Sequence, residues 1–293
     1  MLDQSRKISV VLYHNVIFYE MDLHYPQVHN YSMLISSAEL MEKIEKPNLV
    51  LVDCRSYKDY LEGHIPGAVN LDFFYYHWSD TSKDGIKAFE KQMENLLSFL
   101  GVTKDKTVVF YDDVSGMSAA RGVWLLMYFS HNNAFMLDGG FKKWKSQGLV
   151  TETKTNGFKP DKFSGKVNKE IIAGYEYINK KIGKATLLDA RSKDEYNGIT
   201  IRAARRGHIP SAVNIDWTLN INDDGTMKSL EDLAKMYNFS KDDEIVTYCQ
   251  GGYRAANSFL ALKMLGFKNV KVYLGSWGEW GNILDLPVEL NKN

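Results

Sequence analysis

Short apolar runs rich in β-branched and aromatic residues alternate along this chain with longer stretches that have the period of a helix. In the second half the pattern predicts strands near Leu187–Leu188, Ile245–Tyr248 and Val270–Tyr273, and helices near Lys169–Lys181, Ser229–Tyr237 and Ala255–Leu265. In the first half it predicts matching strands near Leu49–Val52, Val108–Tyr111 and Ala134–Leu137. This alternation is typical of an α/β fold in which crossover helices cover a parallel sheet.

One block of sequence occurs twice. The segment LVDCRS begins at position 51 and is followed by GHIPGAVNLD at position 63, while LLDARS begins at position 187 and is followed by GHIPSAVNID at position 207. Later residues keep nearly the same spacing, so that Tyr111 corresponds to Tyr248 and Trp144 to Trp280. The chain is therefore predicted to contain two copies of one fold.

The first copy is predicted at residues 33–148 and the second at 167–293. Between them, residues 149–166 contain glycine and proline among threonines and lysines without a clear period, which indicates a linker. Ser36 and Glu39 have the spacing of a helix capping box at the start of the first copy. Residues 1–32 are then an N-terminal extension, whose apolar segment is too short to span a bilayer.

Composition narrows the possible partners. Hydrophobic residues make up 44% of the 293 positions, which is enough for two packed cores. The 36 basic residues balance the 36 acidic ones, so the long-range attraction to nucleic acid or anionic lipid is missing. The two cysteines, Cys54 and Cys249, lie at unmatched positions, which disfavours a disulfide framework and favours a reducing compartment. We therefore expect a cytoplasmic protein without a nucleic-acid or membrane partner.

The two copies differ at the position that follows the matched tyrosines. The first copy has Asp112 there, whereas the second has Cys249, followed at once by a loop with two glycines and by the start of a helix. Such a loop can direct several backbone N–H groups at one atom, and the helix N-terminus adds a partial positive charge. This setting lowers the pKa of a thiol and favours the thiolate. We therefore expect one working site, at Cys249.

Arg254 adds to this interpretation. A cation in the first turn of a helix opposes the helix dipole, so stability alone is a poor reason for it. We therefore expect Arg254 to face a negatively charged ligand.

Together these motifs resemble the tandem-domain rhodanese family of sulfurtransferases. The resemblance covers residues 33–285 and includes LGSWGEW from position 274. It implies two rhodanese-like domains, each a parallel five-stranded sheet flanked by helices, of which the first is inactive and the second catalytic. It also implies a relay in which Cys249 takes sulfur from a small-molecule donor as a persulfide and passes it to cyanide or a thiol. The implied cradle for that sulfur consists of Gln250, Gly251, Gly252, Tyr253 and Arg254, and no cofactor or metal is implied.

The resemblance leaves the donor open between thiosulfate and 3-mercaptopyruvate. Arg254 favours thiosulfate, because mercaptopyruvate-using members tend to have a small, uncharged loop. Yet the better-known thiosulfate enzymes have a further arginine four residues after the D-x-R arginine, where this chain has Glu195. The candidates to supply this missing positive charge are Arg202, Arg205 and Arg206.

Two other classes of function remain. Cysteine phosphatases and arsenate reductases use a similar cradle, but their loop is usually C-x5-R, whereas this one is C-x4-R and better suits a single sulfur atom. A non-catalytic carrier would hand its sulfur to a protein partner. We expect an enzyme that acts as a monomer.

Several motif residues recur in the copy without a cysteine, which favours structural roles. Arg191, in the second D-x-R motif, is kept as a candidate substrate contact beside its structural interpretation. Cys54 is expected to be an inert buried thiol. His64 and His208 are expected to anchor loops.

Overall fold

The computed structural model describes residues 10–13, 16–19 and 33–290. An antiparallel hairpin of β1 (Val10–Tyr13) and β2 (Val16–Tyr19) lies in a compact unit that spans Met1–Tyr31. The rest of the predicted extension 1–32 lies outside the described residues.

The first half contains five strands, five α-helices and a 3₁₀ turn among its described residues. Its strands are β3 (Leu34–Ile35), β4 (Leu49–Asp53), β5 (Val69–Asn70), β6 (Thr107–Tyr111) and β7 (Ala134–Leu137). Its helices are α1 (Ser37–Met41), α2 (Tyr57–Glu62), α3 (Lys83–Phe99), α4 (Met117–Tyr128) and α5 (Gly140–Ser146), with the 3₁₀ turn at Phe73–Tyr76.

The second half repeats this series. Its strands are β8 (Ile172–Ala173), β9 (Thr186–Asp189), β10 (Val213–Asn214), β11 (Ile245–Tyr248) and β12 (Val270–Tyr273). Its helices are α6 (Tyr175–Lys181), α7 (Lys193–Tyr196), α8 (Leu230–Met236), α9 (Tyr253–Met264) and α10 (Ser276–Trp280), with 3₁₀ turns at Lys169–Ile171 and Trp217–Asn220.

Each half forms a five-stranded, wholly parallel sheet. The strand orders are β3-β7-β6-β4-β5 and β8-β12-β11-β9-β10, so each strand of the first sheet has its counterpart in the second. The central strands β6 and β11 are almost wholly buried, as expected for parallel strands covered by helices on both faces. The predicted fold class is confirmed.

Helices α4 and α9 pack against each other and join the two halves. Each begins directly after the loop that follows the central strand of its sheet. One continuous apolar cluster includes Val123 and Trp124 of α4 and Phe259 and Leu260 of α9. The halves therefore share a core, and the loop after Tyr248 lies close to the first half.

Local sequence signals explain where several helices begin. Ser36 and Glu39 form the predicted capping box, and Ser192 and Glu195 form another at the start of α7. The segment near Lys169–Lys181 was predicted as one helix, which is wrong for its first part. Ile172–Ala173 instead adds an edge strand beside β12, and the helix begins only after Gly174.

The segment 149–166 contains an isolated bridge between Glu152 and His64 but no helix or longer strand. Throughout the described ranges, no helix is long and apolar enough to cross a membrane. Nor do three or more His, Cys, Asp or Glu side chains come together there as a metal site would require.

Candidate active site at Cys249

Cys249 lies between the end of β11 and the start of α9, and its side chain is buried. Its sulfur accepts a hydrogen bond from the backbone N–H of Gly252 at 3.1 Å. Because α9 has twelve residues, its N-terminal dipole adds a positive potential at this point. The described donor to the sulfur is thus Gly252 at the start of α9, while the wider cradle of Gln250, Gly251, Tyr253 and Arg254 stays a prediction.

Helix α10 holds the cysteine loop from the other side. The backbone N–H of Cys249 donates to Ser276 Oγ at 3.1 Å, and the Cys249 carbonyl accepts from Trp277 N at 2.9 Å. The carbonyl of Gln250 accepts from Gly278 N at 2.8 Å. Ser276 has a φ of 54°, a left-handed conformation that costs free energy in a residue with a side chain. These bonds fix the backbone of the loop before any ligand binds.

A side chain is excluded at each of the two loop glycines, for a different reason in each case. Gly252 has a φ of 84°, and a Cβ there would lie 2.9 Å from the carbonyl oxygen of Leu274. A Cβ at Gly251 would lie 2.0 Å from the ring of His77, which comes from the first half. The loop is thus packed too closely for larger residues.

Tyr253 connects the loop to the first half. Its hydroxyl donates to the carbonyl of Phe73 at 2.6 Å, and its ring stacks on Phe74 with centroids 4.9 Å apart. Burial raises the pKa of Tyr253 to about 12, so the hydroxyl keeps its proton for this bond. The 3₁₀ turn at Phe73–Tyr76 therefore lies against the cysteine loop.

Arg254 has a protein partner in Glu195, and its predicted contact with a negatively charged ligand stays a prediction. Its guanidinium donates to both carboxylate oxygens of Glu195, and Arg202 Nε lies 3.3 Å from the same carboxylate. Burial would lower the pKa of Arg254, but its hydrogen bonds to Glu195, together with nearby negative charges, outweigh burial and raise it. The Arg254 guanidinium is thus held by Glu195, beside the loop that begins at Cys249.

Arg191 lies just after the end of β9, and its described contacts are with protein groups. Its guanidinium binds both oxygens of Asp189, donates to the carbonyl of Gly207 at 2.9 Å and lies over the ring of Trp277. The first half has the same arrangement around Arg55, which binds Asp53 and the Gly63 carbonyl. The described contacts of Arg191 therefore support a structural role at the strand end.

The three other candidate arginines differ in their contacts. Arg202 pairs with Glu195, and its carbonyl accepts a hydrogen bond from Gln250 Nε2 at 2.9 Å. Arg205 donates to backbone carbonyls within residues 280–286, and Arg206 is exposed beside an open pocket. Of these three, Arg202 is the one whose described contacts reach the cysteine loop.

The matching site of the first half is occupied by its own carboxylate. Asp112 accepts hydrogen bonds from the backbone N–H groups of Asp113 at 2.9 Å and Ser118 at 3.1 Å. Burial raises the pKa of Asp112 to about 6, although these two bonds favour the charged form. An internal anion thus takes the place that the sulfur has in the second half.

The remaining motif residues have structural contacts. Cys54 is buried, and burial together with the charges of Asp112 and Asp53 raises its pKa well above the usual value, which keeps the thiol protonated. His64 and His208 each bind the carbonyl of a stacked tyrosine through Nδ1, as expected of loop anchors.

Two residues beside the loop were not predicted, Arg121 of α4 and His77. Both come from the first half, which has Asp112 at the position that corresponds to Cys249. A charged residue inside the otherwise apolar stretch of α4 was the available signal for Arg121.

The fold and the site can be compared with known proteins. Residues 36–147 and 175–283 match the Rhodanese-like domain family. A thiosulfate sulfurtransferase of Azotobacter vinelandii is 36% identical over 265 residues, which cover 88% of this chain and 97% of that protein. The sulfur carrier protein TtuD of Thermus thermophilus is 35% identical over 275 residues, which cover 87% and 96%.

A solved structure extends the comparison. The 3-mercaptopyruvate sulfurtransferase SseA of Escherichia coli has a TM-score of 0.73 and 28% identity, over 84% of this chain and 99% of that one. This chain therefore belongs to the rhodanese-like family and carries two such domains in tandem. Within that family it is a sulfurtransferase.

Proposed function

We propose that this sulfurtransferase moves the outer sulfur of thiosulfate to cyanide or a thiol through a persulfide on Cys249. The hydrogen bond from Gly252 N to the Cys249 sulfur, at the N-terminus of α9, is the observation that carries the proposal. The second domain is then catalytic, and the first, with Asp112 in the matching place, is not.

The chemistry balances without a cofactor. The Cys249 thiolate attacks the outer sulfur of thiosulfate, a sulfur–sulfur bond forms, and sulfite leaves with the electron pair of the broken bond. Cyanide then attacks the terminal sulfur, thiocyanate forms, and the thiolate leaves as the restored nucleophile. In both steps the N–H of Gly252 and the start of α9 stabilise a negative sulfur.

The charges beside the loop support a dianionic donor. Arg254 and Arg202 share the single carboxylate of Glu195, so this group of three has a net charge of about +1. A cation attracts a dianion about twice as strongly as a monoanion at the same distance. This surplus of positive charge favours the dianion thiosulfate over a monoanionic donor.

A second candidate donor is 3-mercaptopyruvate. Glu195 stands where the better-known thiosulfate enzymes have an arginine, and it binds Arg254 at both nitrogens. A site with less free positive charge suits a monoanion, and the similarity to SseA fits this reading.

Mass spectrometry of the intact protein tests the persulfide. After incubation with thiosulfate and no acceptor, the protein should gain one sulfur atom, and cyanide should remove it in a single turnover. The same experiment with mercaptopyruvate at matched concentration decides the donor, and Cys249→Ser is the control that should gain nothing. An unchanged mass with both donors, in protein with a free Cys249 thiol, would refute the proposal.

Steady-state turnover separates an enzyme from a carrier, which is the role in the name of the similar protein TtuD. An enzyme should produce many thiocyanate molecules per chain from small donors. A single discharge without turnover would indicate a carrier, and hydrolysis of an aryl phosphate would indicate a phosphatase instead.

A further inference from the structure

Arg121 is a buried cation of the first domain. Its side chain belongs to α4, and the residue is 4% exposed. The guanidinium lies over Trp124 at 4.4 Å, and also near the rings of Phe89 and Tyr253. In the described part of the chain its Nη1 has no hydrogen-bond partner. A buried charge without a hydrogen-bonded partner is costly, so this nitrogen is suited to an anion close to it.

The position of Nη1 beside Gly252 brings it close to the cysteine loop. A Cβ added to Gly252 would lie 3.3 Å from Arg121 Nη1, and the N–H of the same glycine donates to the Cys249 sulfur at 3.1 Å. The guanidinium therefore packs against the residue that binds the sulfur. Burial lowers the pKa of Arg121 to about 10, while Tyr253 and Cys249 oppose that shift, so the side chain is charged at neutral pH.

The other titratable groups around the sulfur have different roles. His77 lies against Gly251, and its pKa is lowered first by burial and then by the charge of Arg121, which favours the neutral ring. Arg254 is paired with Glu195, which also contacts Arg202. Arg121 is thus a cation near the sulfur whose charge no described acid neutralises.

We propose that Arg121 of the first domain is the cationic partner of the sulfur anion on Cys249, as thiolate before loading and as persulfide afterwards. The persulfide part of this inference rests on the proposed function. The domain without a nucleophile then contributes charge to the reaction of the other. Gly252 contributes in two ways. Its N–H donates to the sulfur, and its lack of a side chain leaves room for the guanidinium.

The pKa of the Cys249 thiol tests this role directly. The thiolate absorbs in the ultraviolet, and the absorbance of each protein minus that of its Cys249→Ser counterpart removes the signals of Cys54 and the tyrosines. In Arg121→Met we expect the pKa of Cys249 to rise by roughly one unit, about a tenfold loss of thiolate below the pKa. Arg121→Lys should retain part of the effect, because a cation remains.

Lys142→Met, which removes one exposed positive charge from α5, is the matched control and should leave the Cys249 titration unchanged. An unchanged pKa in folded Arg121→Met would overturn the proposal, even if the KM for thiosulfate rose. If Arg121→Met does not fold, Arg121→Gln and Arg121→Lys replace it, and equal thiol pKa values in these two would also overturn the proposal. The titration needs no sulfur donor, so it tests the role of Arg121 separately from the proposed function. A wild-type protein that accepts no sulfur would refute the proposed function but would not change the result of the titration.

Discussion

Arg254 and Glu195 form a two-pronged ion pair beside the cysteine loop, with Nη1–Oε2 at 2.6 Å and Nη2–Oε1 at 3.0 Å. Burial would raise the pKa of Glu195, but Arg254 and the Ser192 cap outweigh burial and lower it to about 2. The carboxylate is therefore charged throughout the neutral range. A donor that needs Arg254 must compete with Glu195 for it.

Removing that competition should change the choice of donor. In Glu195→Gln we expect kcat/KM for thiosulfate to rise several-fold relative to that for mercaptopyruvate, because a freed Arg254 attracts a dianion more strongly. Glutamine retains the capping-box geometry at the start of α7. Asp59→Asn, at the matching position of α2, is the control and should leave the ratio unchanged. A ratio that stays constant in Glu195→Gln would show that Glu195 does not tune the donor.

The two cysteines should differ in their importance. We expect Cys249→Ser to abolish sulfur transfer, whereas Cys54→Ser should keep most of it, because the Cys54 thiol is held protonated away from the loop. Thiocyanate formation from thiosulfate and cyanide measures both variants. Comparable losses in the two would contradict the assignment of Cys249 as the nucleophile.

Asp112 should make stability depend on pH in an unusual direction. Its pKa is about 6 in the folded chain against an ordinary 3.8, so the unfolded chain loses this proton first as the pH rises. The free energy of unfolding of the wild type, relative to Asp112→Asn, should therefore fall by roughly 1–3 kcal/mol between about pH 4 and pH 7. Urea denaturation of both proteins across this range measures the difference. A difference that is constant with pH would rule out a raised pKa at Asp112.

Tyr253 should contribute to stability through the first domain. In Tyr253→Phe the buried bond to the Phe73 carbonyl is lost, and we expect a loss of about 1–2 kcal/mol in the free energy of unfolding. Tyr75→Phe is the control, because Tyr75 is 84% exposed, and its effect should be close to zero. Equal stabilities of the two variants would mean that the hydrogen bond from the Tyr253 hydroxyl to the first domain does not stabilise the fold.

The sequence predicted the features that depend on neighbouring residues. The buried runs of β6 and β11 and the cysteine followed by glycines are local signals, and the structure has them where they were expected. The edge strand Ile172–Ala173 was missed because two residues have no measurable period, and its pairing with β12 is a tertiary effect.

The candidate site was predicted less completely than the fold. Arg121 is more than a hundred residues from Cys249 in the chain and meets the loop only because α4 packs on α9. The pairing of Arg254 with Glu195 likewise depends on how α7 lies beside α9, which no local pattern records. Contacts between distant elements therefore limited the prediction.

The contact between α4 and α9 joins the same element of each repeat. A contact of this kind is isologous, as in a twofold dimer, where one surface patch meets its own copy. A chain with a single repeat could make the same contact with a second copy of itself and would then carry two identical sites. When the two repeats are joined in one chain, their sequences no longer have to be identical. One repeat is then free to keep the cysteine while the other changes its residues to suit its neighbour.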